Sequence, residues 1–408
     1  MNQMIVRDVI VKGNRIDIDY SVSGEWENFF QTEEVFYVEY SKDIGRVPQG
    51  VAIIPFLCNV LPIAWVFDAE LIVNEIDKAF YESIDNFKQG YIDMYPQLNF
   101  SGKLNAKKIV DNPASDLKNS AAFFSGGVDA YQTLISHIEE KPILVTLWGS
   151  DIKLEDTKGW KVVEAHTKQV ATEYNLDYVV IKSSFRKFLN EGELSQYTAS
   201  RVKDGWWHGF QHGIGLIGHM APYAYQYKIK NVYIASSFTI KDKGKVTCAS
   251  DPSIDNHVRF NGSKVFHDGY EYNRQAKIHR ICEYVKGTGT KIQLRVCWES
   301  RGGSNCCRCE KCYRTILGII AEKEDPRFFG FEYTDDEFIN MMQDFRRKVF
   351  VRISNYIPIQ TAMRDNYSIE QIDSHLKWFY KINVNQLNRT MSKNIFRLKR
   401  KVTKILKG

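Results

Sequence analysis

The chain of 408 residues has no long uninterrupted apolar run. Its most apolar stretch, residues 51–67, is broken by Pro55, Asn59 and Pro62 and is short for a bilayer span, so it reads as buried core. No repeat or low-complexity segment occurs. Residues 1–19 alternate apolar and polar side chains, as strands do and secretory leaders do not. Four of the eight cysteines fall within seven residues, the wrong distribution for a secreted disulfide framework. The expected compartment is therefore cytoplasmic. Acidic residues are missing from 374–408, which carry ten Lys and Arg. The net charge of +6 thus belongs to the tail, because the preceding residues hold 45 basic against 49 acidic groups, a net of −4. The body has no basic surplus of its own to draw nucleic acid.

What is present is an ordinary globular composition, 44% hydrophobic and 25% charged, long enough for two or three domains. Three regions are expected. Residues 1–115 form an N-terminal α+β module, with strand-like runs at Val9–Val11, Ile16–Ile18 and Val35–Val38 and an amphipathic helix over Glu70–Phe87. Residues 116–320 alternate short apolar runs (Ala121–Phe124, Ile143–Leu147, Tyr178–Ile181, Val232–Ala235) with helical stretches at Asp129–Glu139 and Lys158–Tyr174. That rhythm predicts a doubly wound α/β domain with a parallel sheet and ligands at the carboxyl ends of its strands. Residues 321–408 form a helical C-terminal extension.

The central feature is Ser125-Gly126-Gly127-Val128-Asp129-Ala130, a glycine turn between an apolar run and a helix start. Glycines let the backbone turn sharply and admit a phosphate, and the first helical N–H groups point unpaired into the turn. Ser125 adds a hydroxyl donor. Asp129 can cap the helix or hold a magnesium ion bridging phosphates. The lysine of a Walker A loop is missing, so this is another kind of cradle.

Gly213, Gly215 and Gly218 match GxGxxG, but no strand precedes them, which argues against a dinucleotide fingerprint. His208 and His212 share a helical face without the Glu of HExxH. With His219 they could bind metal; the preferred reading is a small-residue helix packed on the sheet or lining its cleft. Lys277 and, second to it, Arg274 start a helix and could neutralise charge on a departing pyrophosphate, the alternative being a solvated helix face. His267 and Asp268 are weaker candidates.

Cys297 is expected to end a strand at Ile292–Val296, and Cys306, Cys309 and Cys312 complete C-x8-C-x2-C-x2-C. Four thiolates so spaced can close a tetrahedral Zn2+ shell with no position left for water, hence a structural site. Arg308, Lys311 and Arg314 would offset its charge. Cys307 could replace Cys306, and an iron–sulfur cluster is the rival occupant.

The hexapeptide resembles SGGxDS, the pyrophosphate loop of the PP-loop ATP pyrophosphatase superfamily, with Ala130 in the last position. Together with C-x8-C-x2-C-x2-C some 170 residues on, it resembles the 7-cyano-7-deazaguanine synthase (QueC-like) family over residues 118–320, about half the chain. The resemblance implies an AMP- and pyrophosphate-forming carbon–nitrogen ligase that adenylates a carboxylate with ATP and Mg2+ and lets an amine or ammonia displace AMP. It places ATP on Ser125, Gly126, Gly127, Val128 and Asp129, with adenine and ribose near Trp148 and Gly149. It makes Lys277 the basic residue upstream of the cysteines. The family is shorter and lacks both flanking regions, so the expectation is a paralogue whose acceptor is a deazapurine, a sugar acid or a protein terminus. The alternatives are tRNA modification, with cysteines relaying sulfur, and a non-catalytic ATP-binding module of a complex. Self-association is a further open assembly. Ile395, Leu398, Val402 and Ile405, ringed by Lys and Arg, suggest a helix that packs on the body or lies on the inner face of a membrane, with RNA attraction as a third option.

Overall fold

A computed structural model describes residues 2–31, 33–297, 303–389 and 393–394. The amphipathic tail at 395–408 lies outside them. The chain divides into two compact units, residues 1–125 with 136–270, and residues 126–135 with 271–408.

The first unit is built on one eleven-stranded mixed sheet. Its strands are β1 (Gln3–Lys12), β2 (Arg15–Ser23), β3 (Phe36–Tyr40), β4 (Glu70–Asp77), β5 (Lys103–Val110), β6 (Asn119–Phe123), β7 (Ile143–Trp148), β8 (Tyr178–Ser183), β9 (Ile229–Ala235), β10 (Arg259–Phe260) and β11 (Ser263–Asp268). Their order is β10-β11-β9-β6-β7-β8-β3-β2-β1-β4-β5. β11, β9, β6, β7 and β8 run parallel, and β7 is buried from Ile143 to Leu147, apolar except for Thr146, whose hydroxyl bonds to the Phe124 carbonyl. From β6 the chain winds one way through β7 and β8, then returns to place β9 on β6's other side. That reversal is the switch point where an open α/β sheet leaves a crevice at its strand ends.

The sheet does not stop at residue 115. β3 pairs antiparallel with β8, Val38 opposite Ser183, which joins the first hundred residues to the parallel strands edge to edge. β1 and β2 form a hairpin about Gly13, at φ 57°, and Asn14. A bulge between Val6 and Asp8 resets the alternation, so Met4, Val6 and Val9 all face the core.

The helix expected over Glu70–Phe87 begins only at Lys78. Residues 70–77 are β4, whose Leu71 and Val73 alternate inward while its backbone pairs with β1 and β5. Sheet pairing overrides the helical period there. Asp77 then caps helix Lys78–Met94, accepting from Phe80 N at 3.0 Å. The apolar stretch 51–67 is core as expected: helix Ile54–Val66 is buried from Ile54 to Trp65. Among the described residues no helix is long and apolar enough to cross a membrane.

GxGxxG lies inside helix His212–Ile217 and its end, not in a strand–turn–helix. These glycines serve close packing. A Cβ at Gly213 would fall 2.4 Å from the Asp255 carboxylate, and one at Gly218 would fall 2.6 Å from Cys58. The small residues thus let this helix pack tightly on its helical neighbours.

The second unit is helical. It contains Val128–Ser136, Arg274–Thr288, Glu310–Ala321, Asp335–Lys348 and Ile353–Asn366. Gly318 lets helix Glu310–Ala321 approach Ile278 and Gln275 of helix Arg274–Thr288, and Gln275 Nε2 donates to the Gly318 carbonyl at 3.0 Å. The strand expected at Ile292–Val296 is an extended connection instead. Its N–H groups bond singly to different partners, Leu294 to the Phe329 carbonyl and Arg295 to the Gly126 carbonyl, so no ladder forms.

Candidate functional site

Gly126 takes φ 76°, a backbone state that a side chain would disfavour, and so makes the sharp turn before helix Val128–Ser136. Its carbonyl accepts from Arg295 N at 2.7 Å, and the Gly127 carbonyl starts the helical ladder by accepting from Tyr131 N at 2.9 Å. Ser125 is exposed, while Val128 and Ala130 are buried. Asp129 stands in the helix's first turn, where a negative charge suits the dipole.

Asp129 is clasped. Its Oδ2 accepts from Arg274 at 2.7 Å and its Oδ1 from Lys277 Nζ at 3.1 Å. Both cations lie in the first turn of helix Arg274–Thr288, three residues apart and so on one face. Asn273 caps that turn by accepting from Ala276 N at 3.0 Å. Burial alone would raise the Asp129 pKa, but Arg274, Lys277 and then Arg314 outweigh it and hold the carboxyl below its usual range. Burial lowers the pKa of Arg274, with Asp129 opposing. Lys277 is only 1% exposed, so it is no solvated helix face.

The placement of these charges is unfavourable by itself. Arg274 and Lys277 sit at the positive end of their own helix, and Arg314, with Glu310 at 3.9 Å, adds a third cation. Among the described residues, Arg274 and Lys277 meet Asp129 and Arg314 meets Glu310. Cations gathered at a glycine turn and a helix start are features that suit an anion.

The four cysteines expected as metal ligands converge, with all four Sγ atoms within 4.8 Å of one another. Cys297 and Cys309 are 3.7 Å apart, Cys309 and Cys312 3.5 Å, and Cys306 and Cys312 4.0 Å. Sulfurs about 2.3 Å from a tetrahedral zinc lie about 3.8 Å from each other, so the donor set fits such an ion. Cys309 immediately precedes helix Glu310–Ala321 and Cys312 follows in its first turn, where the dipole favours thiolate. Hydrogen bonding from Cys312 lowers the Cys309 thiol further against burial. Cys307 is turned away at φ 55° with its thiol toward the Glu332 carbonyl, which settles the choice of fourth ligand in favour of Cys306.

Asn305, unremarked in the sequence, builds one side of this cluster. Its Oδ1 accepts from Val296 N at 2.9 Å and Cys297 N at 3.3 Å, and its Nδ2 donates to the Leu294 and Gly330 carbonyls at 2.7 and 2.8 Å. One side chain thus replaces the missing strand ladder and presents Cys297.

Trp148 and Gly149 belong to the first unit. Trp148 stacks on Trp160 at 5.1 Å, and Gly149 takes φ 110° where a Cβ would meet the Ser183 carbonyl at 2.1 Å. Both therefore have packing roles. His267 donates to or accepts from buried Asp255 at 2.8 Å, and Asp268 pairs with His137 at 3.0 Å. His219 is buried and neutral, lowered to about 4 by desolvation, with bonds to Gly215 and Ser183. Among the described residues the histidines join no metal-binding group.

No known family model matches this chain, and a search of curated proteins finds no relative.

Proposed function

We propose that the protein is an ATP-dependent, AMP- and pyrophosphate-forming ligase of the PP-loop type that activates a small-molecule carboxylate for attack by an amine or ammonia. The observation that carries this reading is the Asp129 clasp: a carboxylate at the start of a helix behind a glycine turn, held by more cations than it can neutralise.

In this reading the N–H groups at the start of helix Val128–Ser136, together with Arg274 and Lys277, receive the phosphates. The cations leave Asp129 for the stronger anion, and the freed carboxylate accepts Mg2+. Bound ATP supplies a good leaving group to a carboxylate that is otherwise a poor electrophile. Lys277, which is buried, then stabilises charge developing on the departing pyrophosphate. The protein's part is position and charge.

The cysteine cluster, in the same reading, holds zinc as a structural ion. It fixes the start of helix Glu310–Ala321, which packs through Gly318 on the helix carrying Arg274 and Lys277. Four thiols aimed at one another suit a metal ion better than a sulfur relay, which favours ligation chemistry over tRNA thiolation.

The test is the site of ATP cleavage. Full-length protein given Mg2+, ATP and a pool of carboxylic acids with ammonia should form AMP and pyrophosphate in equal amounts. ADP and phosphate would reject the assignment, and ATP binding without any cleavage would favour the non-catalytic module.

A further inference from the structure

The second half of the first unit holds a thiol unlike the other isolated ones. Burial pushes the Cys58 and Cys282 thiols up, Cys282 to about 12 with nearby carboxylates adding to the rise. Cys248 has imidazoles instead: its Sγ lies 3.8 Å from His212 Nδ1, and the charge of His208 also acts on it.

The loop that carries Cys248 is pinned on both sides. Thr247 Oγ1 donates to Asp204 at 2.6 Å, Ala249 N donates to the His208 carbonyl at 2.8 Å, and Ser250 Oγ donates to Asp255 at 2.9 Å. Asp204 in turn bonds His208 Nδ1 at 3.0 Å and accepts from Tyr95. The carboxylate thus orients one imidazole and, through Thr247, the thiol's own backbone. The loop follows β9, at the carboxyl end of the parallel strands, where α/β sheets take their ligands. Cys248 is 4% exposed, but its partners are more open: the His208 side chain is 45% exposed and His212 half-buried. The electrostatics agree with the geometry. Burial opposes ionisation, yet His208 and His212 bring the thiol down to about 7, while Asp204 holds His208 as imidazolium, raised to about 10.

We propose that Cys248 is a nucleophile that accepts an acyl group from an activated carboxylate, with His212 as its base and the Asp204–His208 pair stabilising the thiolate. His212 takes the thiol proton, sulfur attacks the acyl carbon, and the bond from that carbon to its leaving group breaks. The leaving group departs with the bonding electrons and takes the proton back from His212, and a thioester remains on Cys248. No oxidant is needed. The assignment does not rest on the ATP reading, since any activated ester, thioester or mixed anhydride serves as donor.

The test uses metal-replete, full-length protein and p-nitrophenyl acetate, without nucleotide. A nitrophenolate burst of one equivalent per chain is expected, with one acetyl group mapped to Cys248. Cys248→Ala should lose the burst, and His212→Gln should slow it roughly a hundredfold. A burst that survives in Cys248→Ala, or an acetyl group on another residue, overturns the proposal. A second measurement needs no variant: in unmodified protein, iodoacetamide should alkylate Cys248 well before Cys58 or Cys282. Its rate should rise with pH about a midpoint near 7 and level off above it, set by the facing groups Asp204, His208, His212 and Asp255. Equal rates at the three thiols would also reject it.

Discussion

The cysteine cluster and the Asp129 clasp lie in the same unit, and they are opposite solutions to holding charge. The cluster is closed: four like ligands face one centre and leave no place for substrate. In the clasp two cations meet one carboxylate, which in the proposed reading a phosphate displaces. A closed set of donors is suited to stability, and an unbalanced one to binding something that comes and goes.

The sharpest way to break that contrast is to open the closed site. Cys309→Ser, or removal of the ion by a chelator, should unfold the second unit, because a structural zinc contributes on the order of 10 kcal/mol to folding. Metal analysis should find one zinc per untreated chain, and the variant should be insoluble or protease-sensitive. Iron with visible absorbance would replace zinc by a cluster.

Asp129→Asn tests the other side. It leaves Lys277 buried without its carboxylate, which should cost about 3 kcal/mol in denaturant unfolding. It should also tighten binding of metal-free pyrophosphate, since a competing anion is gone, while turnover with Mg2+ is abolished. Weaker pyrophosphate binding would mean that Asp129 is no competitor.

Asn305→Ala removes four hydrogen bonds and leaves the Val296 and Cys297 N–H groups without their acceptor. A loss of about 2 kcal/mol is expected, with faster metal release to a chelator. If release is unchanged, Asn305 does not present Cys297.

Acid should separate the two sites with the smallest effect. The folded Asp129 pKa lies below its unfolded value of 3.8, so its contribution is complete above that pH and is lost as pH falls further. Metal release requires only that thiolates accept protons, so it should come at higher pH in a titration followed by metal content and unfolding.

The same contrast explains what could be read from the sequence. The cysteines announce themselves because their ligand spacing is mostly local, and the structure brings together all four named ones. Asp129, Arg274 and Lys277 were each visible as chemistry, but their meeting depends on a fold that brings together residues almost 150 positions apart. Asn305 gave no signal, since an asparagine that substitutes for a strand ladder looks like any loop asparagine. The Cys248 loop was also hidden. His208 and His212 were noticed, but Asp204, Thr247 and Cys248 lie outside their helical pattern and join it only through the loop after β9. The parallel strands β6, β7, β8 and β9 were legible from their apolar runs, whereas β11, whose exposed Lys264 and Phe266 alternate with buried residues, was not. β4 was not, because its alternation is only two buried residues deep before Asp77 caps the next helix.

The central claim is that the clasp awaits phosphates, and pyrophosphate binding tests it without knowledge of the acceptor. Calorimetric titration should give saturable binding of one pyrophosphate per chain to unmodified protein. Lys277→Ala should weaken that binding at least roughly tenfold, the loss of one charge-assisted hydrogen bond. Failure of the unmodified protein to bind either pyrophosphate or ATP with Mg2+, or an affinity unchanged in Lys277→Ala, would contradict it.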